Sequence, residues 1–330
     1  MAGRVCFSVT LRKWHGFLLL IILRLGLDTV EGVWPLPQSF LPWPERYPLK
    51  PQSFTFGYRR HLAAQHRCSV LDAAFKRYFS ILFPDNPSGD EWVFTLTISL
   101  DRHDCEGYPS QDSSERYKLS VSAGQASLYA ETVWGALRGL ETFSQLVYQD
   151  DFGSYYINKT DIEDFPQFKY RGILLDTSRH YIPVQAILKT LDAMAYNKFN
   201  VFHWHIVDDP SFPYQSRTFP DLSSKGAFHP MTHIYTQSDV RRVISYARMR
   251  GIRVLPEFDS PGHTNSWGKG KPELLTPCYQ GGSPSGTFGP VNPSLPSTYQ
   301  FMASLFKEVA SVFPDSHVHL GGDEVDFSCW

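Results

Sequence analysis

The second half of this 330-residue chain alternates apolar runs with amphipathic segments, and this alternation constrains its fold most strongly. Each apolar run ends in polar residues, as in RGILLDTSRH (171–180) and IRVLPEFDSPGH (252–263). The intervening segments, such as VQAILKTLDAMAYNK (184–198), have helical spacing. Strand–helix alternation predicts parallel βαβ units, because parallel strands need a crossover connection. We therefore predict four parallel strands, with Ser238 as the N-cap of the helix before the third.

The carboxyl ends of such strands are where α/β proteins bind ligands. This holds for α/β barrels and also for doubly wound sheets. No glycine-rich phosphate loop follows any of the runs, which argues against nucleotide binding. The formal net charge is −2 and no basic block is present, which argues against a nucleic-acid partner.

The first half of the chain has a different pattern. The segments 91–100 (EWVFTLTISL) and 117–122 (YKLSVS) alternate as strands do, whereas 68–83 and 132–148 have helical spacing. A Pro-rich stretch at 34–51 is predicted to be extended. Because the pattern changes near residue 165, we predict an N-terminal α+β domain over 33–165 and an α/β domain over 166–330.

The N-terminus has the features of a targeting segment. Arg4, Arg12 and Lys13 precede the apolar run Phe17–Leu23, which is too short to span a bilayer. We predict a cleaved signal peptide over 1–32, with a retained anchor as the alternative.

Cysteines and one glycosylation sequon agree with a secretory route. Of five cysteines, one lies in the signal segment, which leaves an even number. Three pairings are possible, and we favour the nearest-neighbour one, Cys68–Cys105 with Cys278–Cys329, over free buried thiols. The triplet NKT makes Asn158 an acceptor for N-glycosylation.

Chemically active side chains follow all four runs. They are Asp176, Arg179 and His180; His203, His205, Asp208 and Asp209; Glu257, Asp259 and His263; and Asp323 with Glu324. Arg179 could bind a polar ligand or simply pair with Asp176. One such residue is usually a satisfied buried polar group, but clusters at four successive strand ends indicate a functional site.

Two hydrolytic chemistries fit these clusters. Paired carboxylates suit glycoside cleavage, where one carboxyl protonates the leaving oxygen. The alternative is a metal hydrolase, because His-x-His together with Asp and Glu can bind a divalent ion. No serine lies in a nucleophile elbow and no cysteine of the mature chain neighbours a histidine-bearing strand end, which argues against covalent serine or cysteine catalysis.

Four motifs resemble those of a known family. RGILLDTSRHYIP (171–183), NVFHWHIVDDPSFP (200–213), RVLPEFDSPGHTNSWG (253–268) and HLGGDEVDF (319–327) resemble the lysosomal β-N-acetylhexosaminidases of glycoside hydrolase family 20. The segment CYQGGSPSGTFGPVNPS (278–294) is most similar to their α subunits. The resemblance runs from Trp34 to Trp330. In this family the substrate assists its own cleavage.

The resemblance implies roles for the adjacent carboxylates. Glu324 would act first as general acid and then as general base, which requires a pKa raised by burial or by a neighbouring negative charge such as that of Asp323. Asp323 would orient the 2-acetamido group of the substrate and stabilise the oxazolinium ion that this group forms. Gly321 and Gly322 would let the backbone turn so that both side chains reach the pocket.

The same resemblance implies roles for the other strand-end residues. His263 would contact Glu324 and be oriented by Asp208. Arg179 would hold sugar hydroxyls. Asp259 would help to position these side chains without contacting the substrate. It also implies that no metal or other cofactor takes part, and that the histidines of the second run are structural.

The implied fold is the N-terminal α+β domain followed by the first half, about four βα units, of a (β/α)8 barrel. The implied reaction removes terminal non-reducing N-acetylhexosamine from ganglioside-type glycolipids and other glycoconjugates in the lysosome. The implied partners are a homologous subunit, forming a dimer, and an activator protein. Relative to the family the chain would be C-terminally truncated, so we expect it to be inactive alone. A metal-dependent hydrolase and a non-catalytic sugar- or subunit-binding chain remain alternatives.

Overall fold

The computed structural model describes residues 32–59, 68–84, 94–102 and 104–330. The predicted signal peptide therefore lies outside the described residues, except for its last position. Within these ranges, no helix combines the length and apolar character needed to cross a membrane.

The first half of the chain contains seven described strands: β1 (Ser39–Leu49), β2 (Phe54–Tyr58), β3 (Phe94–Leu100), β4 (Tyr117–Ser122), β5 (Gln125–Ala130), β6 (Val147–Gln149) and β7 (Tyr155–Asp164). They form a mixed sheet in the order β1-β7-β4-β5-β3-β2, and β6 pairs with β7. The predicted alternation is confirmed in β3 and β4, where every second side chain is buried. The Pro-rich stretch forms β1 at the end of the strand order, where a missing N–H is tolerated.

Helices α1 (Ser69–Leu82) and α2 (Val133–Leu146) cover this sheet. Helix α2 begins at Thr132, whose hydroxyl accepts hydrogen bonds from two backbone N–H groups of the first turn. At Gly135 a Cβ would lie 2.4 Å from the backbone oxygen of Arg116, so only glycine allows the first turn of α2 to approach that segment this closely. The helical spacing of apolar residues over 132–148 predicts a helix with one buried face, yet residues 133–143 of α2 are all buried. The difference arises because α2 also contacts the second half of the chain, through Arg138.

The second half contains a parallel sheet of strands β8 (Gly172–Asp176), β9 (Val201–Val207) and β10 (Arg253–Phe258), in the order β10-β9-β8. Helices α3 (Val184–Tyr196), α4 (Pro220–Gly226), α5 (Gln237–Arg248), α6 (Asn265–Gly270) and α7 (Pro296–Val312) complete this region. The prediction that Ser238 caps α5 is wrong. Thr236 is the N-cap instead, because its side chain and that of Asp239 satisfy each other's backbone N–H groups in a capping box.

The fourth predicted strand is reduced to a single parallel bridge between His319 and Glu257. Backbone hydrogen bonds still hold this segment along β10, from His319 N to Pro256 O at 2.9 Å and from Ser260 N to Leu320 O at 2.9 Å. A regular strand cannot continue here, because Gly321 follows with a φ of 67°. The architecture is thus an N-terminal β-rich region followed by a partial, barrel-like α/β region, as the fold prediction states.

Both predicted disulfides are present, Cys68–Cys105 in the first half of the chain and Cys278–Cys329 in the second. The latter ties the hairpin of β11 (Leu275–Gln280) and β12 (Ser283–Val291) to the 3₁₀ turn Phe327–Cys329. This cross-link lies a few residues from the Asp323–Glu324 pair and restrains the segment that carries it.

A buried ionic cluster joins the two halves. Glu115 accepts from Arg138 Nε at 2.7 Å and also pairs with Arg171. Arg138 donates onward to the backbone oxygens of Arg250 and Gly251, at 3.2 and 2.8 Å. Since buried charges are costly unless paired, this cluster makes the contact between the halves specific.

Candidate active site

The polar residues at the carboxyl ends of the parallel strands lie together around one opening, the strand-end mouth. Asp176 ends β8 and lies beside His205 of β9, which in turn pairs in register with Glu257 of β10. Asp208 and Asp259 follow directly after β9 and β10, and both are buried. The strand-end prediction therefore places these side chains together, as parallel pairing requires.

His263 and Glu324 meet at this mouth. Nε2 of His263 lies 3.3 Å from Oε2 of Glu324. Both residues have positive φ, 54° and 51°, a backbone region that non-glycine residues seldom adopt. Strained backbone of this kind is concentrated at functional sites, because surrounding structure must hold it in place.

The carboxylate that holds His263 is Asp259 rather than Asp208. Asp259 Oδ2 lies 2.5 Å from His263 Nδ1, whereas Asp208 Oδ2 lies 3.9 Å away. Burial alone would lower the pKa of His263, but the hydrogen bond to Asp259 and the charge of Asp208 outweigh it and raise the pKa. The sequence-based assignment of Asp208 as the orienting group is thus not what the geometry favours.

Asp208 instead anchors the other side of the mouth. Its Oδ2 lies 2.7 Å from His205 Nε2 and 3.1 Å from Arg179 Nη2. Arg179 also pairs with Asp176 at 2.7 Å. Burial would raise the pKa of Asp208, but these cations and the backbone N–H of Asp209 lower it. Arg179 keeps 47% of its side chain exposed and is the cation of this set that can reach a ligand.

Gly321 and Gly322 wrap the backbone around Asp259. A Cβ on Gly321 would lie 1.6 Å from Asp259 Oδ1, so no other residue fits at this φ of 67°. The N–H of Gly322 donates to the same oxygen at 3.0 Å. The glycines therefore serve to seat the carboxylate that holds His263, in addition to the tight turn expected from the sequence.

The burial expected around Glu324 is not provided by the described residues. Its side chain is 78% exposed, and Asp323 is exposed as well. The mouth is consequently open on the side of these two carboxylates, opposite the buried strand ends.

Glu257 and three histidines form a second cluster beside the first, and the sequence did not predict it as a group. Glu257 lies 2.6 Å from His203 Nε2, 3.0 Å from His205 Nδ1 and 3.1 Å from His319 Nδ1. Burial would lower the pKa of His205, but hydrogen bonds to Asp208 and Glu257 raise it to about 10. These histidine contacts lower the pKa of Glu257 despite its burial. His-x-His alternation on β9 was the sequence signal for two members, whereas nothing in the sequence marked His319.

Three sets of these side chains could each hold a metal ion, since their ligand atoms lie within 4.8 Å of one another. The sets are His203, Glu257 and His319; His205, Glu257 and Asp259; and Asp208, Asp259 and His263. The raised pKa of His205 keeps a proton on the imidazole between Glu257 and Asp208. Without an ion, His205 joins Glu257 and Asp208 in an ionic hydrogen-bond network.

Comparison with known proteins gives consistent matches. A family model described as glycosyl hydrolase family 20, catalytic domain, matches residues 168–330, and one described as beta-acetyl hexosaminidase like matches 33–146. The chain is 58% identical over 308 residues to beta-hexosaminidase subunit alpha of Bos taurus, covering 91% of this chain and 58% of that protein. It is 53% identical over 308 residues to the Homo sapiens beta subunit, covering 91% and 55%.

Solved structures agree with these sequence matches. The Flavobacterium johnsoniae chitobiase superposes with a TM-score of 0.74 at 31% identity, over 88% of this chain and 44% of that one. A Vibrio harveyi exo-beta-N-acetylglucosaminidase gives 0.72 at 26% identity, over 90% and 47%. This chain thus spans about three fifths of the length of the curated alpha subunits that it matches, 58% in Bos taurus and 62% in Mus musculus.

Proposed function

Because this chain belongs to glycoside hydrolase family 20, we propose that it supplies the proton-transfer and acetamido-binding part of a β-N-acetylhexosaminidase site. The reaction would be retaining, substrate-assisted hydrolysis of terminal non-reducing N-acetylhexosamine. The observation that supports this proposal is that His263 contacts Glu324 through Nε2 and Asp259 through Nδ1.

In this proposal Glu324 first protonates the glycosidic oxygen. The 2-acetamido oxygen of the substrate attacks C1, the C1–O bond to the leaving group breaks, and an oxazolinium ion forms. Asp323 orients the acetamido N–H and balances the positive charge. Glu324, now ionised, then removes a proton from the water molecule that attacks C1 and opens the oxazolinium ring. His263, whose Nε2 lies 3.3 Å from Oε2 of Glu324, would hold this carboxyl group in position throughout the reaction.

Arg179 and Asp208 are proposed to bind the sugar. The part of Arg179 that faces solvent would donate to ring hydroxyls, while its ion pairs with Asp176 and Asp208 fix the position of the guanidinium. Asp208 would thus act on the substrate through Arg179, and on His263 only as a distant charge.

The experiment that tests the reaction class uses a longer protein that contains this chain. Substrate assistance predicts rapid hydrolysis of an N-acetylglucosaminide and loss of several orders of magnitude for the matching glucoside, which lacks the nucleophilic carbonyl oxygen. Comparable rates for the two substrates would contradict the proposal. The 330-residue chain alone should turn over neither substrate, because Glu324 lies in an open mouth that does not exclude water.

The setting of the enzyme is proposed from the same resemblance and from the N-terminal segment. We propose a signal peptide over 1–32, an α+β domain over 33–165 and a partial barrel over 166–330. Routing through the secretory pathway would lead to the lysosome, where ganglioside-type glycolipids are substrates. A homologous subunit is the proposed dimer partner, with an activator protein presenting lipid substrates.

A divalent-metal hydrolase is the second candidate, favoured by the three convergent ligand sets. Loss of hydrolysis on treatment with a chelator, restored by Zn²⁺, would support it over the glycosidase mechanism. Unchanged hydrolysis of the N-acetylglucosaminide in chelator is the result that substrate assistance predicts. A chain that binds N-acetylhexosamine without hydrolysing it, even within the longer protein, would leave only the non-catalytic alternative.

A further inference from the structure

The turn that carries Asp323 and Glu324 follows His319, whose backbone is held along β10 on both sides of the residue. The N–H of His319 donates to Pro256 O at 2.9 Å, and its carbonyl oxygen accepts from Phe258 N at 3.1 Å. The two carboxylate residues that follow are exposed. The direction in which their side chains leave the turn therefore depends on contacts made within the turn itself.

The side chain of His319 makes such a contact. Its Nδ1 accepts a hydrogen bond from the N–H of Gly321 at 3.1 Å, at the residue whose φ of 67° turns the chain away from β10. The ring lies beside that of His203, with 4.7 Å between the ring centroids, which limits its rotation. The next N–H, that of Gly322, donates to Asp259. Two successive peptide groups of the turn are thus held by side chains that are themselves fixed at the ends of strands.

Glu257 lies close to the same nitrogen of His319. Its Oε1 is 3.1 Å from Nδ1, but an imidazole nitrogen either accepts a hydrogen bond or donates one, so it cannot serve Gly321 and Glu257 at once. The other oxygen of Glu257 already lies 2.6 Å from His203 Nε2 and 3.0 Å from His205 Nδ1. Because Glu257 has these two histidines as partners, Nδ1 of His319 can stay unprotonated and accept from Gly321.

We propose that His319 is a positioning residue, which holds the N–H of Gly321 and so fixes where Asp323 and Glu324 project into the strand-end mouth. This inference rests on the proposed function, because His319 acts on the reaction only through those two carboxylates.

The spacing of the contact shows which other side chain could replace the imidazole. An acceptor that binds the N–H two residues further on is the geometry of an Asx turn. Asn292 forms this turn elsewhere in the chain, where its Oδ1 accepts from Ser294 N at 3.0 Å. An asparagine in place of His319 should therefore reproduce the hydrogen bond to Gly321.

The test measures kcat for an alkyl N-acetylglucosaminide in a longer protein that contains this chain, with two polar variants of His319. In His319→Asn the side-chain oxygen can take the place of Nδ1, whereas in His319→Gln the amide lies one bond further from the backbone. We expect His319→Asn to keep kcat within about threefold of the parent and His319→Gln to lower it by about 10–100-fold, as displacement of a catalytic group does. In the 330-residue chain, amide exchange at Gly321 should be about tenfold faster in His319→Gln than in the parent or His319→Asn.

His317→Gln is the matched control, since His317 is exposed on the same segment but lies near Asp315 and Arg253 instead of the turn. It should leave both kcat and the exchange at Gly321 unchanged. Equal kcat for the parent and His319→Gln, a His319→Gln variant that has lost its urea unfolding transition, or a His319→Asn variant as slow as His319→Gln would each overturn the positioning role and leave the proposed function intact. A parent that hydrolyses the matching glucoside as fast as the N-acetylglucosaminide would overturn the proposed function, and this role with it.

Discussion

The clearest quantitative consequence of the structure is that Asp259, and not Asp208, sets the charge of His263. We expect Asp259→Asn to lower the pKa of His263, because it replaces a carboxylate 2.5 Å from Nδ1 by a neutral amide. A hydrogen bond to a charged group contributes about 1.5–3 kcal/mol. At about 1.4 kcal/mol per pKa unit, this predicts a decrease of about 1 to 2 in the pKa of His263.

Asp208→Asn should have a smaller effect on the same imidazole. Its carboxylate lies 3.9 Å from His263 Nδ1, and its charge is already balanced by His205 and Arg179 at 2.7 and 3.1 Å. The expected decrease is less than about 1, because the field of a paired charge is largely cancelled by its partners.

The assay is a titration of the histidine ring signals by NMR, with the His263 resonance assigned from a His263→Asn variant. Asp209→Asn is the matched control, since this neighbouring carboxylate affects the pKa of His263 only through its charge. An equal or larger decrease in Asp208→Asn than in Asp259→Asn would refute this reading and restore the assignment expected from the sequence.

Three further predictions concern stability. The pKa of His205 is raised to about 10, so protonation of its imidazole stabilises the folded state. This stabilisation is complete below about pH 6.5 and is lost by roughly 1.4 kcal/mol per pH unit as the pH rises towards 10. In urea titrations, His205→Gln should flatten this pH dependence of the free energy of unfolding. Gly321→Ala should displace Asp259 and cost about 2–4 kcal/mol locally, seen as faster amide exchange at residues 319–324 with unchanged exchange in the N-terminal sheet. Arg138→Met should destabilise the fold by about 3–5 kcal/mol in urea, because it deprives the buried Glu115 of a partner; a loss below about 1 kcal/mol would contradict that account.

The strand ends could be predicted because two simple patterns coincide in this sequence. Apolar runs of strand length stop at polar residues, and helical segments separate them, so parallel pairing alone brings Asp176, Asp208 and Asp259 to one edge. The contact between His263 and Glu324 came from the resemblance of the motifs, and the geometry agrees with it.

Other features depend on tertiary contacts that the sequence does not display. Which carboxylate holds His263 is decided by the turn over 259–263, where His263 itself has positive φ. The fourth run fails to form a full strand because Gly321 turns the backbone around Asp259. His319 joins Glu257 from that irregular segment, so no alternation pattern could reveal it.

Helix α2 shows the same limit in the first half of the chain. Its periodicity predicts a single buried face, but contacts of Arg138 with the second half of the chain bury the opposite face as well. Domain packing is a long-range property, and an amphipathic pattern reports only the face that is apolar.

The central claim is that Glu324 transfers the proton to the leaving oxygen. The most direct measurement compares Glu324→Gln with the parent, in a longer protein that contains this chain, on two N-acetylglucosaminides. One substrate has an alkyl or sugar leaving group, which needs protonation, and the other has an activated phenol, which does not. The kcat for the first should fall by about 10²–10⁴-fold, and the rate of forming the oxazolinium ion from the second should fall far less. Equal rates for parent and variant on the alkyl glycoside would remove Glu324 from the mechanism.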